Sequence, residues 1–400
     1  MNSRERIIAA IHRRPVDRMP IDFGGTRQSG ISVWAYVRLR ERLGLAARRP
    51  RIFDTFQMLA EIEQDVADRF GADCVGLNRP AVAFGIRNEA WYPYTFPDGL
   101  CAEVPGGFQP QPDGAGGLVL KRGGEDIAAM PADGFYFDRL EKYPGATHPD
   151  LATWRAPRVE AETLGYYHEA AEALLANTDK AIVAAFGPPY ELFNGLGQGG
   201  FEAWMMTLAS EPDYVDALYA ELVEAWIENL RGFHQAVGDR VQVLQICDDF
   251  GTQNAPFLSE RMFRAHLLPA YRRGLDWIHA HTSWKVMLHS DGALVPLLPA
   301  IIEMGVDILN PVQTSAAGMD PGRLKREFGG RLVFWGGSCD AQSTFAHGTP
   351  AEVAAETERN LRVLGAGGGC VGAPIHNIQA NVPPDNILAL FDTARSLRLD

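Results

Sequence analysis

The stretch WKVMLHSDGALVPLLPAIIEMGVDILNPVQ, residues 284–313, decides the fold. It holds two short apolar runs, 284–288 and 306–309, and each stops abruptly at polar side chains. His289, Ser290 and Asp291 follow the first run, and Asn310 and Gln313 follow the second. Continuous rather than alternating apolar runs are what parallel strands covered on both faces require. Outward from this stretch, runs of the same kind recur at 19–23, 72–77, 181–186 and 241–246, then at 331–335 and 369–373, making eight. Helical patterns lie between most of them. Residues 210–238 repeat apolar side chains at three- and four-residue spacing, with Ser210 as the expected cap and Pro212 in the first turn. Thr349, Pro350 and Glu352 spell a capping box ahead of Leu361, Val363 and Leu364, and residues 383–399 read as a closing helix.

Strands alternating with helices imply a parallel sheet with helices outside. Eight of them predict a (β/α)8 TIM barrel, with residues 1–400 as a single domain. An open dinucleotide-binding sheet would need a glycine loop leading out of a strand. GAGGG at 365–369 leads into one, so it reads as a helix stop and a turn. Residues 87–137 are rich in Gly, Pro and aromatics, with turn signals at 96–99 and 111–114. They predict a small β-rich insertion after the second strand, serving either as a wall over the barrel mouth or as a surface meander.

The composition narrows the partners. The chain has 400 residues, more than the roughly 250–300 at which single cores usually split, though α/β barrels with insertions reach this size. A net charge of −13 argues against nucleic acid or an anionic membrane as the partner. The five cysteines are scattered without a CxxC pair, so neither a disulfide framework nor a zinc knuckle is indicated. No stretch approaches the roughly 18 apolar residues of a membrane span, and the opening residues form a polar amphipathic helix. The chain reads as a cytoplasmic protein acting on a small molecule.

In such a barrel the active site gathers at the C-terminal strand ends. Each unpaired buried polar group costs about 1–3 kcal/mol, so polar residues converging there must face a wet pocket. His289, His376, Asp248 and Asp73 are the catalytic candidates. Arg27, Tyr190, Asn310, Gln313, Asp340 and Asn377 are the substrate-binding ones. His289, Asp291 and His376 offer nitrogen and oxygen donors suited to zinc, iron or manganese, although the same residue types also make ordinary hydrogen-bonded pairs. Asp248 and Asp249 are adjacent, so one faces the barrel and the other does not. Asp248 is expected to be the general acid or base, and Asp249 to cap a helix or bond a loop amide. Cys339, Cys370, Trp284 and Trp335 are expected in the core.

Residues 3–25 (SRERIIAAIHRRPVDRMPIDFGG), 289–313, 334–342 (FWGGSCDAQ) and 373–390 (APIHNIQANVPPDNILAL) together resemble the uroporphyrinogen decarboxylase superfamily across essentially the whole chain. The resemblance implies the barrel and two candidate branches. True uroporphyrinogen decarboxylases bind a polycarboxylate through a basic first loop. The loop TRQSGIS (26–32) carries only Arg27, and a substrate with many carboxylates wants several cations. The other branch, the corrinoid-dependent methyltransferases, holds zinc with a His-x-Cys pair and a later Cys. His289 and Asp291 fall on the first motif and His376 on the later position, so two thiolates are replaced. The resemblance therefore implies demethylation of a small O- or N-methylated substrate. Zinc or another divalent metal would be held by His289, Asp291 and His376. The methyl acceptor would be cobalamin, a corrinoid, carried by a corrinoid protein. A homodimer is compatible with the superfamily. Two alternatives stay open: a lyase decarboxylating a small carboxylic acid, with Arg27 as anchor and Asp73 or His376 stabilising charge, and a barrel that binds without turnover.

Overall fold

A computed structural model describes residues 1–139, 149–194, 196 and 200–399. Seven strands form one parallel sheet: β1 (Cys74–Leu77), β2 (Ala181–Ala185), β3 (Val243–Cys247), β4 (Lys285–His289), β5 (Ile308–Asn310), β6 (Val333–Trp335) and β7 (Cys370–Val371). Each pairs with its sequence neighbours, the order a barrel requires. The register sets Cys247 beside His289 and His289 beside Asn310, so three strand ends share one rung.

The first apolar run closes the ring without becoming a strand. Ile21 bridges Gly372 in parallel, with Gly372 N donating to Pro20 O at 2.8 Å and Asp22 N to Gly372 O at 2.9 Å. On the other side Asp73 N donates to Ile21 O at 2.7 Å. Pairing stops there because Pro20 has no N–H to give and Gly24, at φ +85°, turns the chain away. The TIM barrel is thus made of seven strands and one extended segment.

Alternate residues fill the interior. Val183, Val243, Met287, Ile308, Val333 and Trp335 point inward and meet Ile7, Ala10 and Ile11 of α1 (Ser3–Ile11). The helix stoppers the barrel floor, and its start is set by a capping box between Asn2 and Glu5. The interior is consequently core below and cavity only at the C-terminal rim.

Outside the sheet, helix Pro212–Val237 packs on helix Leu268–His281. Gly274 is the contact that lets them close, since a Cβ there would lie inside the Trp226 ring. Gly274→Ala is therefore expected to destabilise by about 1–3 kcal/mol in urea unfolding through overpacking. An unchanged midpoint would show that the two helices part freely.

The Thr349–Glu352 capping box forms as expected. Ser210 does not cap helix Pro212–Val237. It ends the preceding helix Phe201–Ser210, its hydroxyl donating to Met206 O at 2.8 Å. Glu211, forced from helical ψ by the following proline, separates the two helices. Gly367, Gly368 and Gly369 all take positive φ between helix Pro350–Gly365 and β7, a stop and turn. Trp284, Trp335, Cys339 and Cys370 are buried, as expected.

The antiparallel region begins before 87, with the hairpin Ala81–Ala83/Ile86–Arg87, and runs to strand Asp138–Arg139. The hairpin Tyr92–Thr95/Cys101–Val104 lies between them, and Asp138–Arg139 is the edge of a four-stranded sheet. Phe96, Phe108 and Phe137 of this region are buried and continuous with the main core, and Tyr136 reaches a cavity at the barrel mouth. Among the described residues, no helix is long and apolar enough to cross a membrane.

Candidate active site

The β-strand period carries side-chain parity past the end of β3. Val243 faces the interior and Leu244 and Ile246 face the helices, so Gln245, Cys247 and then Asp249 belong to the inner face. Gln245 donates to Gln28 Oε1 at 3.1 Å, and Gln28 approaches Cys247 Sγ at 3.7 Å, tying the first loop to this face. The loop is itself held by Asp22, which accepts from Trp335 Nε1 at 2.8 Å and Gly25 N at 2.8 Å. Burial pushes the Asp22 carboxyl up from its ordinary value.

Asp248 has the opposite parity. Its Oδ2 accepts from Tyr271 OH at 2.7 Å and Phe193 N at 2.6 Å, while its Oδ1 has no partner. Burial, reinforced by the charge of Glu191, holds this carboxyl well above the usual range. It anchors the loop after β2 to helix Leu268–His281. Both aspartates border the cavity, but Asp248 is held by Tyr271 and Phe193, and the carboxylate that joins the other groups at the mouth is that of Asp249, whose Oδ1 accepts from Asp291 N at 2.9 Å.

His289 ends β4 and is 7% exposed. Asn310, one strand over, donates Nδ2 to Trp335 O at 3.1 Å, which turns its amide oxygen toward His289 Nδ1 at 2.8 Å. That nitrogen must carry the proton, so the Nε2 lone pair is left for the mouth. Asp291 Oδ2 stands 3.8 Å from it. Donor atoms of Asp249, His289 and Asp291 all lie within 4.8 Å of one another. Burial raises the Asp291 carboxyl, and Asp249 adds to the rise against the opposing pull of His289.

This replaces the expected donor set. His376 stands outside the trio, and its Nδ1 makes only long contacts, 3.4 Å to Asn377 O and 3.5 Å to Gln379 Nε2. The reason is topological: β3 and β4 are neighbours, whereas the loop bearing His376 follows β7, three strands further round.

The trio opens into a cavity of about 730 Å³ that also receives Arg27, Tyr190, His376 and Asn377. A second cavity of about 620 Å³ adjoins it, sharing Phe56, Gln57, Asp291 and His376. Gln313 and Asp340 line the second one. Gln313 is already bonded to Gly292 N and Gln253, each at 2.8 Å. Asn377 donates to Gln57 Oε1 at 2.6 Å. Asn310, expected to touch substrate, lies behind His289 and lines neither cavity.

Two further expectations are corrected. Asp73 precedes β1 at the opposite end of the barrel, where it pairs with Arg6 at 2.6 Å and Arg18 at 2.8 Å and accepts from Ile21 N at 2.9 Å. It takes no part in the mouth. Arg27 does line the cavity, but its Nε and Nη2 both sit 2.6 Å from Asp54 Oδ2. Sequence reasoning passed over Gln28, Arg79 and Gln245, and gave Asp249 the lesser role beside Asp248. Parity counted from Val243 would have found Gln245 and Asp249. No local signal marks the other two.

The family model of uroporphyrinogen decarboxylase (URO-D) matches residues 138–397. No curated protein matches the chain. Among solved structures, a methyltransferase from Methanosarcina mazei is similar over 98% of this chain and 98% of that one, with a TM-score of 0.61 at 17% identity. At that identity the likeness speaks for the fold.

Proposed function

The chain belongs to the uroporphyrinogen decarboxylase (URO-D) family, and on that premise we propose that it is a methyltransferase-type enzyme, removing the methyl group of a small O- or N-methylated substrate and passing it to a corrinoid. One observation carries the reading: Asp249, His289 and Asp291 converge at the cavity, with the His289 Nε2 lone pair freed by Asn310. One imidazole nitrogen and two carboxylates suit a divalent metal of hard to borderline character, such as zinc, iron or manganese. A metal bound there would supply Lewis-acid assistance to an ether or amine leaving group. Asn310 holds the imidazole ring, and the Asp291 amide fixes Asp249. His376, on the wall shared by both cavities, is placed to give a proton to the departing oxygen or nitrogen. The similar fold of the Methanosarcina mazei methyltransferase agrees with this. The decarboxylase reading loses two of its three supports, since Arg27 is tied to Asp54 and Asp73 lies at the floor, and keeps only His376 at the cavity.

The test is formation of methylcobalamin, followed by absorbance. Protein loaded with zinc, iron or manganese is mixed with cob(I)alamin and a panel of methyl ethers and methylamines. Turnover is expected with loaded protein and not after chelation. No turnover with any metal across the panel would overturn the reading, and carbon dioxide release from a small acid by metal-free protein would restore the lyase. Metal affinity carries its own pH signature. Binding needs Asp291 as carboxylate, and its carboxyl sits above the ordinary value, so affinity falls as pH drops through that raised range. Calorimetry from neutral to mildly acidic pH should show weakening affinity and increasing proton release. Affinity independent of pH would remove Asp291 from the donor set.

A further inference from the structure

Two arginines line the main cavity, and they stand in different states. Arg27 is neutralised by Asp54. Arg79, two residues beyond β1, is exposed and makes no ion pair or hydrogen bond among the described residues. Its charge is felt at the Tyr167 hydroxyl, the Glu191 carboxyl and the Cys247 thiol, which come to the same cavity from three separate segments. The guanidinium therefore serves the opening rather than the outer surface. An unpaired guanidinium is a fork of donors suited to a carboxylate.

The rest of the cavity says what such an anion would carry. Its wall includes Phe56, Tyr167, Phe186, Pro188, Pro189 and Tyr190. Part of that wall is stiff: Phe186 stacks on Phe233 with centroids 4.1 Å apart and planes at 13°, and Tyr167 meets Phe233 edge-on at 4.9 Å. A flat apolar body fits a stiff aromatic shelf. A volume of about 730 Å³ is ample for one small ligand.

We propose that the cavity takes a small monocarboxylate with a planar apolar body, its carboxylate held by Arg79 and its other end turned toward Asp249, His289 and Asp291. That the far end bears the methyl group rests on the function proposed above; the carboxylate grip does not.

Three probes separate the two claims: benzoate, para-methoxybenzoate and methoxybenzene, measured by calorimetry on the full chain. Para-methoxybenzoate is expected to bind at least about tenfold tighter than methoxybenzene, with benzoate competing for the same site. Arg79→Ala abolishes that preference, and Arg79→Lys retains part of it. Both variants keep the wild-type unfolding midpoint, as befits an exposed, unpaired side chain. Equal binding of the acid and the neutral ether, or an unchanged preference in Arg79→Ala, overturns the proposal. If benzoate binds through Arg79 but no metal form transfers methyl from para-methoxybenzoate, the carboxylate site stands and the methyltransferase reading loses its substrate. If methoxybenzene is demethylated as fast as the acid and Arg79→Ala changes nothing, methyl transfer stands and the carboxylate site falls.

Discussion

Replacing Asp73 by alanine destabilises the protein by about 3–5 kcal/mol without touching ligand or metal affinity at temperatures where it stays folded. Asp73 is fully buried and accepts from Arg6, Arg18 and the Ile21 amide, so one carboxylate satisfies two guanidiniums and the segment that closes the ring. Arg6 is only 5% exposed, and its other partner is Asp17 at 2.6 Å. Removing the carboxylate leaves the buried Arg6 with Asp17 alone and strips the half-buried Arg18 of its carboxylate partner, and breaking a buried pair costs more than the pair contributed. Asp73→Asn keeps an acceptor for Ile21 and loses the charge, so its loss should fall between alanine and wild type. Urea unfolding measures the stability and calorimetry the metal affinity. A stable Asp73→Ala protein with lost turnover would return Asp73 to the active site.

His289→Ala is expected to lower methyl transfer at least about a hundredfold, because it removes the only nitrogen donor of the trio. The variants around it separate roles that turnover alone would merge. Asp249→Ala loses metal along with activity. His376→Ala keeps the metal and loses turnover, since its ring lies outside the donor group. Asn310→Ala should weaken metal binding about 10–100-fold while leaving every ligand in place, because the imidazole loses the acceptor that sets its tautomer and orientation. Metal content and affinity after gel filtration are the decisive readouts. Full metal affinity in Asp249→Ala together with its loss in His376→Ala would restore the donor set of His289, Asp291 and His376.

These contrasts trace where local information ends. Residues 284–288 and 306–309 announce themselves as strands because a strand covered on both faces must be apolar throughout, and that is a property of a few consecutive residues. The capping box at Thr349 and the stop at Gly367–Gly369 are equally local, and both appear where expected. So is the abrupt polar ending of the runs, which sets His289 and Asp291 at the mouth. Ser210 failed as a cap because a neighbouring helix, invisible to a single-helix pattern, claimed it first.

By itself, then, the order of residues determined seven of the eight strands, most of the helices between them and the rim on which the polar groups collect. The tertiary structure alone decided which of those groups meet. Asp73 and His289 both border apolar runs, yet one lies at the floor among Arg6 and Arg18 and the other at the mouth beside Asn310. Asp249 joins His289 because β3 and β4 are neighbours, and His376 stays apart because β7 is not. A strand's burial depends on its own few residues, whereas a donor set depends on the spacing and side-chain parity of strands far apart in the chain.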